Sequence, residues 1–134
     1  MQISSTPSPG CQQETWVLRP WGYFEILSSQ ERHCIKRIVV HPGSRLSLQR
    51  HQMRAEHWYV IEGAADVQVD GKVYALAAGQ SIDIAKMSWH RLGNPGSGPL
   101  TLLEIQTGDA CEEGDIERVE DDYGRLPTAA ESRL

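Results

Sequence analysis

The chain has 134 residues, of which 40% are hydrophobic and 23% are charged, and it carries a formal net charge of -5 at pH 7. This length fits one domain with its own hydrophobic core. The negative charge argues against a general nucleic-acid binder, and no apolar run is long enough to cross a membrane. The composition therefore predicts a soluble protein that binds neither nucleic acid nor membrane.

Both ends of the chain differ in composition from the middle. Residues 1–13 are rich in Ser, Pro, Gly and Gln, which predicts a flexible arm, and they lack the basic and apolar regions of a signal peptide. A loose tail is predicted at 127–134, and the folded domain at 14–126. The cysteine spacing matches no metal or redox motif and predicts free thiols in a reducing cytoplasm. The three cysteines are Cys11, Cys34 and Cys111.

Short β-strands dominate the elements predicted between these ends. Alternating side chains and Gly or Pro boundaries are typical of strands, and no helical period competes with them. Asp70-Gly71 is a strong hairpin signal between two strands. The predicted strands are, in chain order, 22–27, 34–40, 46–51, 56–61, 64–69, 72–76, 81–84, 90–92 and 100–106. This pattern predicts an all-β domain, either an antiparallel sandwich or a barrel.

The acidic segment 112–125 follows the last of these strands. Its composition is wrong for a core strand. We therefore predict a short helix or an ordered loop that lies over the mouth of the fold.

Polar side chains occupy one face of the third predicted strand, because successive side chains of a strand point to opposite faces. The polar face carries Arg45, Ser47, Gln49 and His51, and the opposite face carries Leu46 and Leu48. If the polar face points into a barrel, the interior holds a polar site. Alternatively, the polar face points to solvent and the leucines form the core.

The same alternation sorts the residues of two other predicted strands. Glu56, Trp58 and Val60 share one face, as do Leu102, Glu104 and Gln106 near the end of the domain. His57 then faces away from Glu56, which predicts a structural role for it.

Four residues from three strands offer ligands for a divalent metal ion: Gln49, His51, Glu56 and His90. One amide oxygen, one carboxylate and two imidazoles suit Zn²⁺ first, with Fe²⁺, Mn²⁺, Co²⁺ and Ni²⁺ as alternatives. Gln49 has a second interpretation, in which it only hydrogen-bonds a water molecule on the metal.

Two motifs place these ligands in a pattern that resembles the cupin family. The first is Gly43-x5-Gln49-x-His51-x4-Glu56-x6-Gly63, with Gln49 where the commoner pattern has His. The second is Gly79-x5-Ala85-x-Met87-x2-His90-x3-Asn94, with Ala85 and Met87 in place of the usual Pro and Gly. The resemblance implies a double-stranded β-helix, that is, a jelly-roll barrel, with the metal bound by residues of both motifs.

Five further segments narrow the resemblance. They are Arg19-Pro20-Trp21-Gly22, Ser47-Leu48-Gln49, Arg54-Ala55-Glu56-His57-Trp58, Glu104-Ile105-Gln106-Thr107-Gly108 and Asp115-Ile116-Glu117-Arg118-Val119-Glu120-Asp121-Asp122-Tyr123-Gly124-Arg125. Together they look like the type II mannose-6-phosphate isomerases, over residues 16–125. In that family the cupin is often half of a bifunctional enzyme that is also a mannose-1-phosphate guanylyltransferase. The 134 residues are too few for that second domain and carry no Gly-rich phosphate loop, so its absence is predicted.

The resemblance implies interconversion of mannose 6-phosphate and fructose 6-phosphate through a cis-enediol. The phosphate needs a cation, and Arg118 is the first candidate, followed by Arg54 and Arg125, while Lys36 and Arg19 complete the set. Alternatively, Arg118 only pairs with its acidic neighbours. Glu104 and Lys36 are the candidates for the proton transfer, because burial would move their pKa values toward neutrality. The resemblance also implies a homodimer in which residues 16–27 extend the partner's sheet.

Two other functions remain open for a cupin with these residues. One is a sugar-phosphate-binding protein without catalytic activity. The other is a metal-dependent oxygenase, since the same barrel hosts those enzymes, although such enzymes more often carry His at the position of Gln49.

Overall fold

The computed structural model describes residues 16–126, which form eleven β-strands and no helix, so that no helix in this part of the chain is suited to span a membrane. The strands are β1 Trp16–Arg19, β2 Gly22–Ser29, β3 His33–Val40, β4 Leu48–Arg50, β5 Arg54–Glu62, β6 Ala64–Val69, β7 Lys72–Ala77, β8 Ser81–Ile84, β9 His90–Gly93, β10 Leu100–Gly108 and β11 Glu117–Glu120. The predicted arm and tail, and with them Cys11, lie outside the described residues.

The strands form two antiparallel sheets that face each other. The six-stranded sheet has the order β1-β2-β3-β10-β5-β8, and the five-stranded sheet has the order β11-β4-β9-β6-β7. Apolar side chains of both sheets meet between them and form the core: Trp21, Phe24, Ile38, Val40, Trp58, Val60, Ala65, Val67, Ile84, Leu92, Leu100 and Leu102. This arrangement confirms the predicted all-β jelly roll.

The inward positions change from apolar to polar along neighbouring strands of the six-stranded sheet. On β10 the buried residues are Leu100, Leu102, Glu104 and Gln106, in that order. Their paired neighbours change in the same direction, from Ile38 to Lys36 on β3 and from Val60 through Trp58 to Glu56 on β5. One end of the barrel is therefore an apolar core, and the other end encloses polar side chains.

The predicted hairpin at Asp70-Gly71 is confirmed and connects β6 to β7. Both residues have positive φ, 47° at Asp70 and 85° at Gly71, as a two-residue turn with the right-handed twist of its strands requires. The Asp70 carboxylate also accepts a hydrogen bond from the backbone N–H of Trp89 (2.9 Å). The turn is thereby tied to the residue that precedes His90.

One prediction about local structure needs correction, and two alternatives that the sequence left open are decided. Strand β4 has only three residues, and Arg45 lies before it with its side chain in solvent, where it pairs with Asp122 (2.7 Å). Ser47, Gln49 and His51 do point inward, so the interpretation with a solvent-facing polar side is wrong. Of the two forms predicted for the segment 112–125, the ordered loop is confirmed and the helix is not formed. The loop runs into β11, a short strand beside β4.

Residues 109–126, here called the closing segment, cover the polar end of the barrel. Its strand β11 pairs with β4, and its side chains Glu113, Ile116, Arg118 and Arg125 line the space inside the barrel mouth. At the other edge of the fold, β1 pairs with β2 of the same chain and is the outermost strand of the six-stranded sheet within residues 16–126. Addition of residues 16–27 to a partner's sheet stays a prediction.

The chain enters the closing segment at Gly108, where the backbone leaves no room for a side chain. A Cβ atom at this position would lie 2.2 Å from the carbonyl oxygen of Met53. Gly108→Ala is expected to lower the free energy of unfolding by about 1–3 kcal/mol, the usual cost of overpacking, measured from urea unfolding curves. Gly114→Ala is the matched control, because a Cβ there meets no atom within 4 Å. Equal stability of the two variants would contradict the prediction.

Candidate metal centre

Three of the four predicted ligands converge at the polar end of the barrel. His51 follows β4, Glu56 lies in β5 and His90 begins β9, and one ligand atom from each lies within 4.8 Å of the others. His51 Nε2 is 3.2 Å from one carboxylate oxygen of Glu56, and His90 Nε2 is 3.8 Å from the other. All three side chains are at least 95% buried, at relative exposures of 3%, 2% and 3%.

Backbone carbonyls fix the orientation of both imidazoles. His51 Nδ1 lies 2.7 Å from the carbonyl oxygen of Asp115, and His90 Nδ1 lies 2.9 Å from that of Ser88. A carbonyl only accepts hydrogen bonds, so each Nδ1 donates its proton and each Nε2 keeps a lone pair directed at Glu56. Metal-binding histidines in proteins are held in the same way.

Burial keeps both imidazoles neutral at physiological pH. It lowers the pKa of His51 to about 4, with the neighbouring Arg54 guanidinium as the second cause. Burial also lowers the pKa of His90. Neutral imidazoles are the form that binds a metal ion.

The carboxylate of Glu56 is held by donors on both oxygens. Trp58 Nε1 donates to one oxygen and Arg54 Nε to the other, each at 2.9 Å. Arg54 Nη2 also lies 3.3 Å from His51 Nε2. Two acceptor atoms of the cluster, Glu56 Oε2 and His51 Nε2, therefore already converge on the cationic group of Arg54.

Gln49 lies beside this cluster, because it is the register partner of His90 across β4 and β9. Partnered side chains of an antiparallel pair project from the same face. Its amide nitrogen donates to Ser47 Oγ (3.0 Å), and its side chain lines the barrel mouth. The donor set of two Nε2 lone pairs, a carboxylate and a nearby amide fits a divalent metal ion.

A cavity of about 80 Å³ lies under the closing segment, and Gln49 and Arg54, which neighbour the cluster, line it. Glu104 lines it and is buried, and burial, with the neighbouring Glu56 carboxylate as the second cause, raises the pKa of Glu104 to about 7. Gln106 Nε2 donates to Glu104 Oε1 (2.5 Å). Glu104 thus combines an inward position with a pKa at which it both gives and accepts protons near neutral pH.

Lys36 lies in the same cavity wall and is also buried, as the alternation predicts. Its ammonium group forms an ion pair with Glu113 of the closing segment and lies 4.5 Å from the ring centroid of Phe24. The closing segment therefore places a carboxylate against the one lysine of the cavity wall.

Arg118 also lines the cavity, and its acidic neighbours are paired with other arginines. Glu117 pairs with Arg50, Glu120 with Arg91 and Asp121 with Arg125. Arg118 Nε is buried, and no acceptor within residues 16–126 bonds to it. The alternative interpretation, in which Arg118 only pairs with its own acidic neighbours, is not what the structure shows.

The other two phosphate candidates line the cavity with their charges already engaged. Arg54 bonds Glu56 and the carbonyl oxygen of Glu112 (3.1 Å), and Arg125 holds Asp121 through two nitrogens (3.0 and 2.9 Å). Arg19 is a further guanidinium group of the wall. By contrast, His57 points outward and pairs with Asp83 at the surface (2.7 Å).

Sequence reasoning missed three partners of the site: Trp58, Glu113 and Asp115. The strand alternation contains a signal for Trp58, since it shares a face with Glu56. The contacts of the two acidic residues come from an irregular loop, where no periodicity indicates which side chain points inward.

The fold and the ligand cluster together define a cupin. The chain belongs to the family described as Mannose-6-phosphate isomerase C-terminal, which matches residues 9–121.

Relatives and solved structures agree with this assignment. The alginate biosynthesis protein AlgA of Pseudomonas aeruginosa is 48% identical over 119 residues, which are 89% of this chain and 25% of that protein. The mannose-1-phosphate guanylyltransferase ManC of Salmonella typhimurium is 46% identical over 110 residues, 82% of this chain and 23% of that protein. The chain thus spans about a quarter of the length of these relatives.

A solved structure from Klebsiella pneumoniae shares the fold. It is a conserved protein with a double-stranded β-helix domain, with a TM-score of 0.64 and 20% identity over 87% of this chain and 90% of that one.

Proposed function

We propose that the chain is a metal-dependent isomerase that interconverts mannose 6-phosphate and fructose 6-phosphate through a cis-enediol. One observation carries the proposal: a buried carboxyl group with a pKa of about 7, Glu104, lies beside a cluster suited to a divalent metal, in a cavity lined by cationic side chains. The description of the family names the same activity and supports the proposal.

The reaction moves a proton between C2 and C1 of the sugar phosphate. In the proposal Glu104 takes the proton from one carbon and returns it to the other, for which its pKa is matched to neutral pH. Lys36 is the second candidate for this transfer. A Zn²⁺ ion held by His51, Glu56 and His90, with Gln49 beside them, would polarise the sugar carbonyl as a Lewis acid.

The phosphate group is proposed to bind at the mouth of the cavity. Arg118 is the cation best placed to receive it, because its Nε atom is buried without an acceptor among the described residues. Arg19 and Arg125 line the same mouth. A bound phosphate would supply the buried Nε atom of Arg118 with a charge-assisted hydrogen bond.

The direct test is the formation of fructose 6-phosphate from mannose 6-phosphate, followed by NMR or a coupled assay with Zn²⁺-loaded protein. Turnover that disappears with a chelator and returns with metal supports the proposal. Saturable binding of mannose 6-phosphate without turnover would instead support a sugar-phosphate-binding cupin. Oxygen uptake with added Fe²⁺ would support an oxygenase.

Replacement of Arg118 by alanine is expected to lower kcat/KM for mannose 6-phosphate by about 10–100-fold. A charge-assisted hydrogen bond contributes about 1.5–3 kcal/mol, and about 1.4 kcal/mol is a factor of ten. Inhibition by inorganic phosphate should weaken by a similar factor. Arg32→Ala is the control, because Arg32 is exposed in the turn before β3. Unchanged phosphate inhibition in Arg118→Ala would remove Arg118 from the proposed phosphate site.

The proposal places the enzyme in the cytoplasm as a homodimer. The free thiols of Cys34 and Cys111 are consistent with a reducing compartment. The homodimer rests on the resemblance to the isomerase family. Sedimentation equilibrium of the purified chain tests the dimer.

A further inference from the structure

The two imidazoles of the cluster depend on very different parts of the chain for their orientation. His90 is held by the carbonyl of Ser88, two residues away. His51 is held by the carbonyl of Asp115, which lies 64 residues further along the chain in the closing segment. The orientation of His51 therefore depends on whether residue 115 is in place.

The side chain of Asp115 fixes its own backbone against the loop that carries His51. One carboxylate oxygen accepts the N–H of Gln52 (2.9 Å), and the other accepts the N–H of Met53 (2.8 Å). These are the two residues that directly follow His51. Together with the bond from His51 Nδ1 to the carbonyl, Asp115 makes three hydrogen bonds to three consecutive residues.

This arrangement determines which nitrogen of His51 faces the cluster. With its proton on Nδ1 directed at the Asp115 carbonyl, His51 presents the Nε2 lone pair to Glu56 (3.2 Å). Without that acceptor, the imidazole gains freedom to rotate and to change tautomer. A ligand that must first adopt the right tautomer binds a metal ion more weakly.

We propose that Asp115 is a positioning residue of the metal centre: its carboxylate clamps residues 52 and 53, and its carbonyl thereby holds His51 in the metal-binding tautomer. The inference rests on the proposed metal centre. It makes the closing segment a part of the ligand shell, and not only a cover over the cavity. Asp115 touches no substrate in this scheme and acts through His51.

The decisive variant is Asp115→Asn, which keeps the backbone carbonyl and the side-chain shape. One acceptor oxygen becomes an NH₂ group that faces a backbone N–H, so one of the two clamp bonds is lost. The Zn²⁺ dissociation constant, measured by competition with a chromophoric chelator, is expected to rise about 10–100-fold. In metal-free protein, ¹⁵N NMR of the imidazoles is expected to show His51 losing its uniform Nδ1–H tautomer while His90 keeps its own.

Asp122→Asn is the matched control, because Asp122 lies in the same closing segment and pairs with Arg45 at the surface. It should leave both the Zn²⁺ affinity and the His51 tautomer as in the wild type. An Asp115→Asn protein with wild-type Zn²⁺ affinity and an unchanged His51 tautomer would overturn the inference. So would an Nε2–H tautomer of His51 in the wild type, a result that does not depend on the variant folding.

The same measurements separate this inference from the isomerase proposal. A wild type that binds Zn²⁺ without isomerising mannose 6-phosphate counts only against the isomerase proposal. The Zn²⁺ affinity and the His51 tautomer of Asp115→Asn still decide the role of Asp115. A wild type that binds no divalent metal ion would overturn both the metal centre and the role of Asp115 in it.

Discussion

Replacement of His90 by alanine is expected to remove the metal ion and to lower turnover of mannose 6-phosphate by at least about 10³-fold. Lewis-acid stabilisation by a bound metal contributes several kcal/mol to a transition state, and about 4 kcal/mol corresponds to that factor. His90 is buried, and its Nε2 lone pair faces Glu56. Metal content by elemental analysis and the rate of fructose 6-phosphate formation are the two readouts.

His57→Ala is the control for this experiment. His57 directly follows Glu56 in β5 but points to the surface, where it pairs with Asp83. It should keep the metal and most of the activity. A His90→Ala protein that retains one metal ion per chain and normal turnover would place the metal, and with it the chemistry, elsewhere in the molecule.

Glu104→Gln is expected to lower kcat by about 10²–10⁴-fold, the usual contribution of a general acid–base group, while the metal stays bound. The amide has the shape of the carboxyl group and still accepts the hydrogen bond from Gln106, but it transfers no proton. Stopped assays at saturating mannose 6-phosphate measure kcat, and elemental analysis measures the metal.

Stability distinguishes a catalytic role of Glu104 from a structural one. Burial raises the pKa of Glu104 to about 7, so the folded state disfavours the ionised form and loses stability as the pH rises from about 4.5 to about 7. An amide avoids this loss, and the thermal midpoint of Glu104→Gln at pH 8 should not fall below that of the wild type. Glu62→Gln, an exposed change at the end of β5, serves as the control. Normal kcat in Glu104→Gln would mean that Glu104 does not transfer the proton, which leaves Lys36 as the candidate.

The parts of the fold that follow local rules were predictable from the sequence. Alternation on β5 and β10 places Trp58 with Glu56 and Leu102 with Glu104, and these residues are buried together inside the barrel. The turn at Asp70-Gly71 follows from the need for two positive φ angles. In each case the cause is a property of a few adjacent residues.

The site itself could be predicted only in part. Alternation grouped His51 with Gln49 and Glu56 with Trp58, but it left open which face points inward. The motif pattern, and no local rule, indicated that Glu56 of the six-stranded sheet meets His51 and His90 at neighbouring strands of the other sheet. Neither strand alternation nor the motif pattern predicted the contacts of the closing segment. The ion pair between Lys36 and Glu113 spans 77 residues and ends in an irregular loop. The register of β11 against β4 and the hydrogen bonds of Asp115 to residues 51–53 bring that loop over the barrel, and both depend on tertiary packing.

The alternation of side chains between two faces also fails just before β4, where the backbone is irregular. Arg45 should share a face with Ser47 if the strand were continuous, but residues 46 and 47 precede the three-residue strand β4 and do not follow its pleat. Arg45 consequently points to solvent and binds Asp122. The sequence does not indicate this break, because the same residues suit a continuous strand and an irregular segment equally well.

If the chain binds a sugar phosphate as proposed, the ion pair between Lys36 and Glu113 competes with that ligand for the lysine. A cavity of about 80 Å³ is smaller than the roughly 300 Å³ at which pockets for small molecules begin, so a sugar phosphate would have to displace part of the closing segment. An anion that reaches Lys36 would do so against a tethered carboxylate at high effective concentration. Its apparent affinity would include this internal competition. Neutral sugars, which offer Lys36 no charge in exchange for Glu113, are then expected to bind more weakly than sugar phosphates.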